Sequence, residues 1–334
     1  MRIPVRVLAI AAAGGIVAGG VTAWAIATPA PAPASPAGGD RPAATRPAAT
    51  RPASPAASPG QAGAATGSAA QAVKVIGAPG DVKARGGVLA DAATGDMLWS
   101  RDLDTERPIG SITKVMTALV VIRAGDLGRE IRVPAAVIPY VDKYGADSAG
   151  LHPGDVLTAQ QLLEAMLLPS GCDAAYTLAV TYGPGMPAFL AKMNATARQL
   201  GMMHTQFTSP DGLPYPTEYS TFSTPSDLLR LGLAAMKLPA FRSIVGQSFY
   251  QIRKGPGHHA YWWNNTNDLI GTYPGADGIK TGFTNAALHC LLFEATRGGL
   301  TLIGDVLGSP ATGPASGADA ATKVLNWGFG LPRA

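Results

Sequence analysis

The chain is sparing with the side chains that most often mark a chemical centre. It has two cysteines, Cys172 and Cys290, and no C-x-x-C spacing, which speaks against a zinc ribbon or a thioredoxin-type site. In an oxidising compartment the two can form one disulfide, although a core of this size does not need that staple. Histidine is scarce, five in 334 residues. With no H-x-H or H-E-x-x-H pattern, zinc peptidase chemistry has no support. Charged residues make up only 14% and the net charge is +4. Three of the basic residues, Arg41, Arg46 and Arg51, fall in the N-terminal stretch. No dense basic patch interleaves with aromatics, so nucleic acid is not an expected partner.

Long hydrophobic runs are also lacking, with one exception. Behind Arg2 and Arg6, Val7 to Ala27 gives 21 uncharged positions. That is enough for a membrane-spanning helix, but its alanines and glycines make it only moderately hydrophobic. Ala25-Ile26-Ala27 resembles a signal-peptide cleavage site. Residues 1–27 therefore read as a signal peptide or an N-terminal membrane anchor, and both readings stand. Without a nearby cysteine, lipoprotein processing is excluded. Either way the expected location is extracytoplasmic, secreted or anchored to the cell membrane through residues 7–27. Residues 28–70 are rich in Pro, Ala, Ser and Gly and carry no apolar bulk for a core, so they read as an extended linker.

What remains, residues 71–334, is long enough for a sizeable core. Gly87 to Asp91 and Met97 to Ser100 read as strands joined by the turn Ala93-Thr94-Gly95-Asp96. Helices are expected from Thr158, an N-cap, to Leu168, from Cys172 to Tyr182, from Pro187 to Leu200 with Gly201 as its cap, and from Thr224 to about Lys237. Residues 202 to 223 read as irregular. Strands follow at Ser248 to Ile252, Gly278 to Thr281, Cys290 to Ala295 and Leu300 to Val306, with the turn Arg297-Gly298-Gly299 favouring an antiparallel hairpin. A helix from Ala318 to Trp327 closes the chain. The order predicts an α+β fold: one antiparallel sheet with helices on both faces and an inserted helical cluster.

Three short patterns carry the chemistry. Ser111-Ile112-Thr113-Lys114 follows Pro108 and Gly110 at a helix start, and residues three apart share a helix face. Serine is a weak nucleophile until a base takes its proton, and lysine is a weak base until burial or nearby positive charge lowers its pKa. Alone, the pair reads better as a first-turn serine beside a snorkelling lysine, because four-residue patterns recur by chance. Ser170-Gly171-Cys172 lies at a junction between two helices. Lys280-Thr281-Gly282 ends a strand, where glycine permits close approach to the backbone. Singly, Ser170 can be a helix cap, Lys280 a solvated strand end and Thr281 a β-former.

Taken in order, the three motifs resemble those of the penicillin-recognising serine enzymes. With Asp211-Gly212-Leu213-Pro214, Asn265-Thr266-Asn267 and Leu325-Asn326-Trp327-Gly328-Phe329, residues 85 to 330 resemble the D-alanyl-D-alanine carboxypeptidases, the low-molecular-mass penicillin-binding proteins. The resemblance implies a DD-peptidase/β-lactamase-like fold with a five-stranded antiparallel sheet. It implies peptidoglycan stem peptides ending in D-Ala-D-Ala as substrates, β-lactams as covalent inhibitors and no cofactor. Ser111 becomes the nucleophile, Lys114 its general base and Ser170, between Lys114 and Lys280, a proton relay. Cys172, Lys280, Thr281, Gly282 and Phe283 become the substrate-binding set, with the backbone N–H groups of Ser111 and Phe283 as the oxyanion hole. Many relatives continue into a β-rich domain and a C-terminal amphipathic helix, which this sequence does not show; any anchor is then expected at Val7 to Ala27.

Two departures stand out. Most of the family has Asn where this chain has Cys172, and a thiol is a weaker hydrogen-bonding group; members with Cys include transpeptidases, so the balance of hydrolysis and transfer is open. A thiol there can also be sensitive to oxidation. Ala287-Leu288-His289 replaces the usual Ala-Gly pair, and His289 is expected to be a packed or edge residue rather than a catalytic one. The main alternative is a class A-like β-lactamase. It needs a carboxylate for its deacylating water, and Glu218, the one glutamate between Cys172 and Lys280, lies in an unsuitable context. A catalytically weak penicillin- or wall-binding module is the other alternative.

Overall fold

The computed structural model describes residues 77–310 and 316–332. The expectations for Val7 to Ala27 and for the linker lie outside them. In chain order the elements are β1 (Gly86–Asp91), β2 (Met97–Arg101), β3 (Arg107–Pro108), α1 (Thr113–Ala124), β4 (Glu130–Arg132), α2 (Val137–Tyr144), β5 (Val156–Thr158), α3 (Ala159–Leu167), α4 (Cys172–Tyr182) and α5 (Met186–Gln199). They continue with β6 (Phe222–Ser223), α6 (Pro225–Met236), α7 (Pro239–Val245), β7 (Phe249–Ile252), β8 (Tyr261–Asn264), β9 (Ala276–Thr284), β10 (Leu288–Arg297), β11 (Leu300–Ser309) and α8 (Ser316–Phe329).

The main sheet has five antiparallel strands in the order β2-β1-β11-β10-β9. Gly298 and Gly299 take positive φ between β10 and β11, the conformation a two-residue hairpin turn of matching twist requires. Alternation along β11 divides the core. Leu302 and Val306 face α8 through Ala321, Val324 and Leu325, while Ile303 and Leu307 share the larger core with α6 and the helical cluster. Each fully buried aliphatic side chain of this kind contributes about 1.5–3 kcal/mol.

At the centre of the larger core runs α1. A helix that is apolar on every side belongs inside a protein, and Val115, Met116, Leu119 and Val121 are all fully buried. Helices α3, α4, α5, α6 and α7 surround it. The helix starts are local effects. Thr158 and Gln161 form a reciprocal capping box at α3, and the Thr224 side chain accepts from the Asp227 N–H at α6.

The structure differs from the sequence expectation in several places. The segment expected as a strand at Ser248 to Ile252 does form β7, but β7 pairs with β8 in a separate two-stranded ribbon and takes no part in the main sheet. Helices α2 and α7 lie in stretches with no predicted element. The irregular 202–223 segment closes with β6, which pairs with β3. Among the described residues no helix is long and apolar enough to cross a membrane.

Candidate active site

A 3₁₀ turn, Gly110–Ile112, leads into α1 and puts Ser111 one turn ahead of Lys114. Lys114 is fully buried. An ammonium taken from water without partners costs several kcal/mol, and four acceptors around Nζ offset that cost: Ser111 Oγ at 2.8 Å, Ser170 Oγ at 3.4 Å, Cys172 Sγ at 3.4 Å and the Asp211 carbonyl oxygen at 3.2 Å. The first two motifs thus meet on one nitrogen. The Asp211 loop is held against α1 by Thr117, whose hydroxyl donates to the Pro210 carbonyl at 2.5 Å. Gly212, at φ +86, sits where any Cβ would strike the Gly110 backbone.

Ser170 lies between α3 and α4 with φ +66, a conformation non-glycine residues rarely adopt and one that collects at functional sites. Behind it, Asp173 pins the neighbouring loop. Its carboxylate accepts from the Ser148 hydroxyl at 2.7 Å and from the backbone N–H groups of Ala149 and Leu151, both at 2.9 Å. The Cys172 N–H in turn donates to the Asp147 carbonyl. Nothing in the motif reading pointed to Asp173; its signal is an acidic residue in the first turn of α4.

The opposite wall is β9, the edge of the main sheet. Gly282 packs on the 3₁₀ turn, where a side chain would collide with the Ile109 carbonyl oxygen. A Cβ on Gly110 would reach Phe283 N at 2.8 Å. The sequence suggested that Gly282 leaves room for a ligand; the structure shows that it leaves room for the backbone carrying Ser111. Lys280 is 1% exposed and donates to Thr281 Oγ1 at 3.0 Å and Thr266 Oγ1 at 3.5 Å. The hydrogen bond at Ser170 comes from Lys114, so the expected position between two lysines is realised on the Lys114 side. Burial, and after it the charge of Lys114, pull the Lys280 ammonium down to about 7.

Between the walls lies a cleft of about 200 Å³ lined by Ser111, Ser170, Thr266, Thr281, Gly282 and Phe283, together with Asp147, Asn267 and His289. Phe283 is exposed and its ring packs on His289 at 4.7 Å, within the cleft lining. Cys172 and Cys290 are both free and buried. Burial pushes the Cys172 thiol up to about 12, against the pull of Lys114. That disfavours the thiolate that oxidants attack, so the structure argues against the expected sensitivity. Glu218 accepts from the Ala286 N–H at 3.4 Å and is not among the residues lining the cleft.

A serine held by a buried lysine, facing a sheet edge whose threonine hydroxyls are backed by a second buried lysine, is the arrangement of a serine acyl-transfer enzyme. The peptidase S11 family, described as D-alanyl-D-alanine carboxypeptidase, matches residues 71–311, and the chain belongs to that family. It is 41% identical over 262 residues to a D-alanyl-D-alanine carboxypeptidase of Streptomyces sp. strain K15, covering 75% of this chain and 88% of that protein. To a D-alanyl-D-alanine carboxypeptidase of Mycobacterium tuberculosis it is 37% identical over 245 residues, covering 73% and 81%. The crystal structure of the Streptomyces K15 DD-transpeptidase superposes with a TM-score of 0.72 at 39% identity, covering 77% of this chain and 100% of that one.

Proposed function

We propose that this protein is a serine D-alanyl-D-alanine peptidase that cleaves peptidoglycan stem peptides through an acyl-enzyme on Ser111, and that penicillin acylates the same residue. The observation that carries this reading is the buried Lys114 Nζ, 2.8 Å from Ser111 Oγ and in contact with Ser170. In its neutral form Lys114 takes the Ser111 proton as Oγ attacks the carbonyl of the penultimate D-Ala. The developing oxyanion is received by the backbone N–H groups of Ser111 and Phe283, an interaction aimed at charge that exists only in the transition state. The proton passes from Lys114 through Ser170 to the leaving amine, D-Ala departs, and the peptide remains as an ester. Lys280 and the Thr281 hydroxyl receive the terminal carboxylate on the β9 side. Water or an amine then attacks the ester, completing hydrolysis or transfer.

Cys172 stands at the middle-motif position where most of the family has an asparagine, and its buried thiol lies 3.4 Å from Lys114 Nζ. As a neutral thiol it is a weak partner, which favours an ester that persists long enough to meet an amine. We place the enzyme outside the cytoplasmic membrane, because its substrate is there and because Val7 to Ala27 reads as an export signal or anchor. Mass spectrometry of products from a diacyl-D-Ala-D-Ala peptide, with and without an amine acceptor, tests the proposal. Release of D-Ala, with an amine adduct when acceptor is present, is expected. No release, or rapid turnover of a chromogenic cephalosporin in its place, overturns it.

A further inference from the structure

The β7–β8 ribbon has two unlike faces. Tyr250, Ile252, Tyr261 and Trp263 point inward, and Trp263 Nε1 donates to the Ala149 carbonyl at 2.8 Å. The outward face carries Phe249, Gln251, Trp262 and Asn264, all exposed. Phe249 and Trp262 stack with ring centroids 4.5 Å apart and planes 7° from parallel, yet Trp262 keeps 56% of its surface in solvent and Phe249 47%. Contiguous exposed aromatic surface is a feature of binding faces. Flat rings beside the side-chain amides of Gln251 and Asn264 match one ligand chemistry well. A sugar ring offers an apolar C–H face for the indole and hydroxyl or acetamido groups for the amides.

The ribbon's position says which sugar. Strand β8 runs straight into Asn265, Thr266 and Asn267. Thr266 Oγ1 lies 2.9 Å from Thr281 Oγ1 and also receives from Lys280. The platform is therefore joined by a short stretch of chain to Thr266, which lines the side of the cleft assigned to the terminal carboxylate, where the leaving D-Ala departs. By microscopic reversibility an incoming amine attacks the ester from that same side. Trp262 stands four residues before Thr266, about 13 Å along extended chain. An acceptor amine is separated from its glycan by a side chain and roughly three residues, a backbone reach of about 10 Å.

We propose that the Phe249–Trp262 face, with Gln251 and Asn264, is a saccharide platform that seats the glycan strand carrying the acceptor stem peptide. The proposal rests on the peptidase reading above and adds the means by which transfer selects wall-borne amines over free ones.

The test uses the full chain and its Trp262→Ala and Gln251→Ala variants. A small D-Ala-D-Ala donor is offered with one of two acceptors, an amine-bearing stem peptide alone or the same peptide on its N-acetylglucosamine–N-acetylmuramic acid disaccharide. Binding of peptide-free oligosaccharide of that repeat is followed by indole fluorescence. Trp262→Ala should raise KM for the saccharide-linked acceptor about tenfold and abolish the oligosaccharide response. The peptide acceptor, D-Ala release and penicillin acylation should stay within twofold, and Gln251→Ala should show a smaller effect of the same pattern. Equal effects on both acceptors, or dependence on a saccharide attached to the donor, overturn the assignment. So does a loss shared by penicillin acylation in both variants, which would make the stack a purely structural cross-strand pair. If the unaltered protein releases no D-Ala, the peptidase reading fails, and the oligosaccharide response separately reports whether the platform binds sugar.

Discussion

The two walls of the cleft are made of different material. On the helical side Ser111, Ser170 and Cys172 are gathered on the buried Lys114 nitrogen, which also donates to the Asp211 carbonyl. On the β9 side Thr281 and Phe283 face the opening, and Lys280 sits behind them bonded to two threonine hydroxyls. The helical wall is preorganised and screened from water, where a proton can move between fixed partners. The strand wall presents donors outward, where a carboxylate and a growing oxyanion arrive. The contrast assigns bond making to the first wall and recognition to the second.

Breaking the first wall should cost most. Lys114→Met removes the group that takes the Ser111 proton, and the rate of penicillin acylation in stopped-flow measurements should fall about 10³-fold, in the range that general bases contribute. A fall of less than about tenfold would move the base elsewhere. Next comes the joint between the walls. Gly282→Ala pushes a methyl group into the Ile109 carbonyl, and denaturant unfolding should show a loss of about 1–3 kcal/mol together with slower acylation. An unchanged midpoint would mean that β9 and the 3₁₀ turn are not in the register described.

The second wall should respond to pH. Lys280 is held down to about 7 by burial and by Lys114, so it is charged below that pH and neutral above it. KM for a substrate with a free terminal carboxylate should rise several-fold, up to about tenfold, as pH climbs from 6 to 9, while an amide-capped analogue should change little. Parallel profiles for the two would remove Lys280 from carboxylate recognition. The same shift has a folding consequence. An unfolded chain, with its lysine at 10.5, binds more protons than the folded one between about 7 and 10.5, so Lys280 makes stability rise with pH across that window. Lys280→Met should flatten the rise. The smallest effect is expected at Cys172. Cys172→Asn restores an amide to the substrate side and should raise D-Ala release a few-fold; no change, or a loss, would exclude the thiol as the restraint on hydrolysis.

The site was legible in the sequence to the extent that it is local. Ser111 and Lys114 meet because they are three apart on one turn, and the starts of α3 and α6 follow from Thr158, Gln161 and Thr224. The hairpin of β10 and β11 follows from Gly298 and Gly299. What depends on distant pairing was not legible. Ser248 to Ile252 reads as a strand, but only its partner, Tyr261–Asn264, removes it from the main sheet. The burial of Lys280 arises from the close approach of β9 to the 3₁₀ turn, which depends on Gly110 and Gly282 together. Asp173 looks like an ordinary first-turn acid until the loop at Ser148, Ala149 and Leu151 folds onto it.

The central claim is that Ser111 forms the acyl-enzyme. Peptide mapping by mass spectrometry after incubation with benzylpenicillin tests it most directly. A single adduct on the peptide containing Ser111, absent in Ser111→Ala, is the predicted result. An adduct at another residue, or equal labelling of Ser111→Ala, would contradict it.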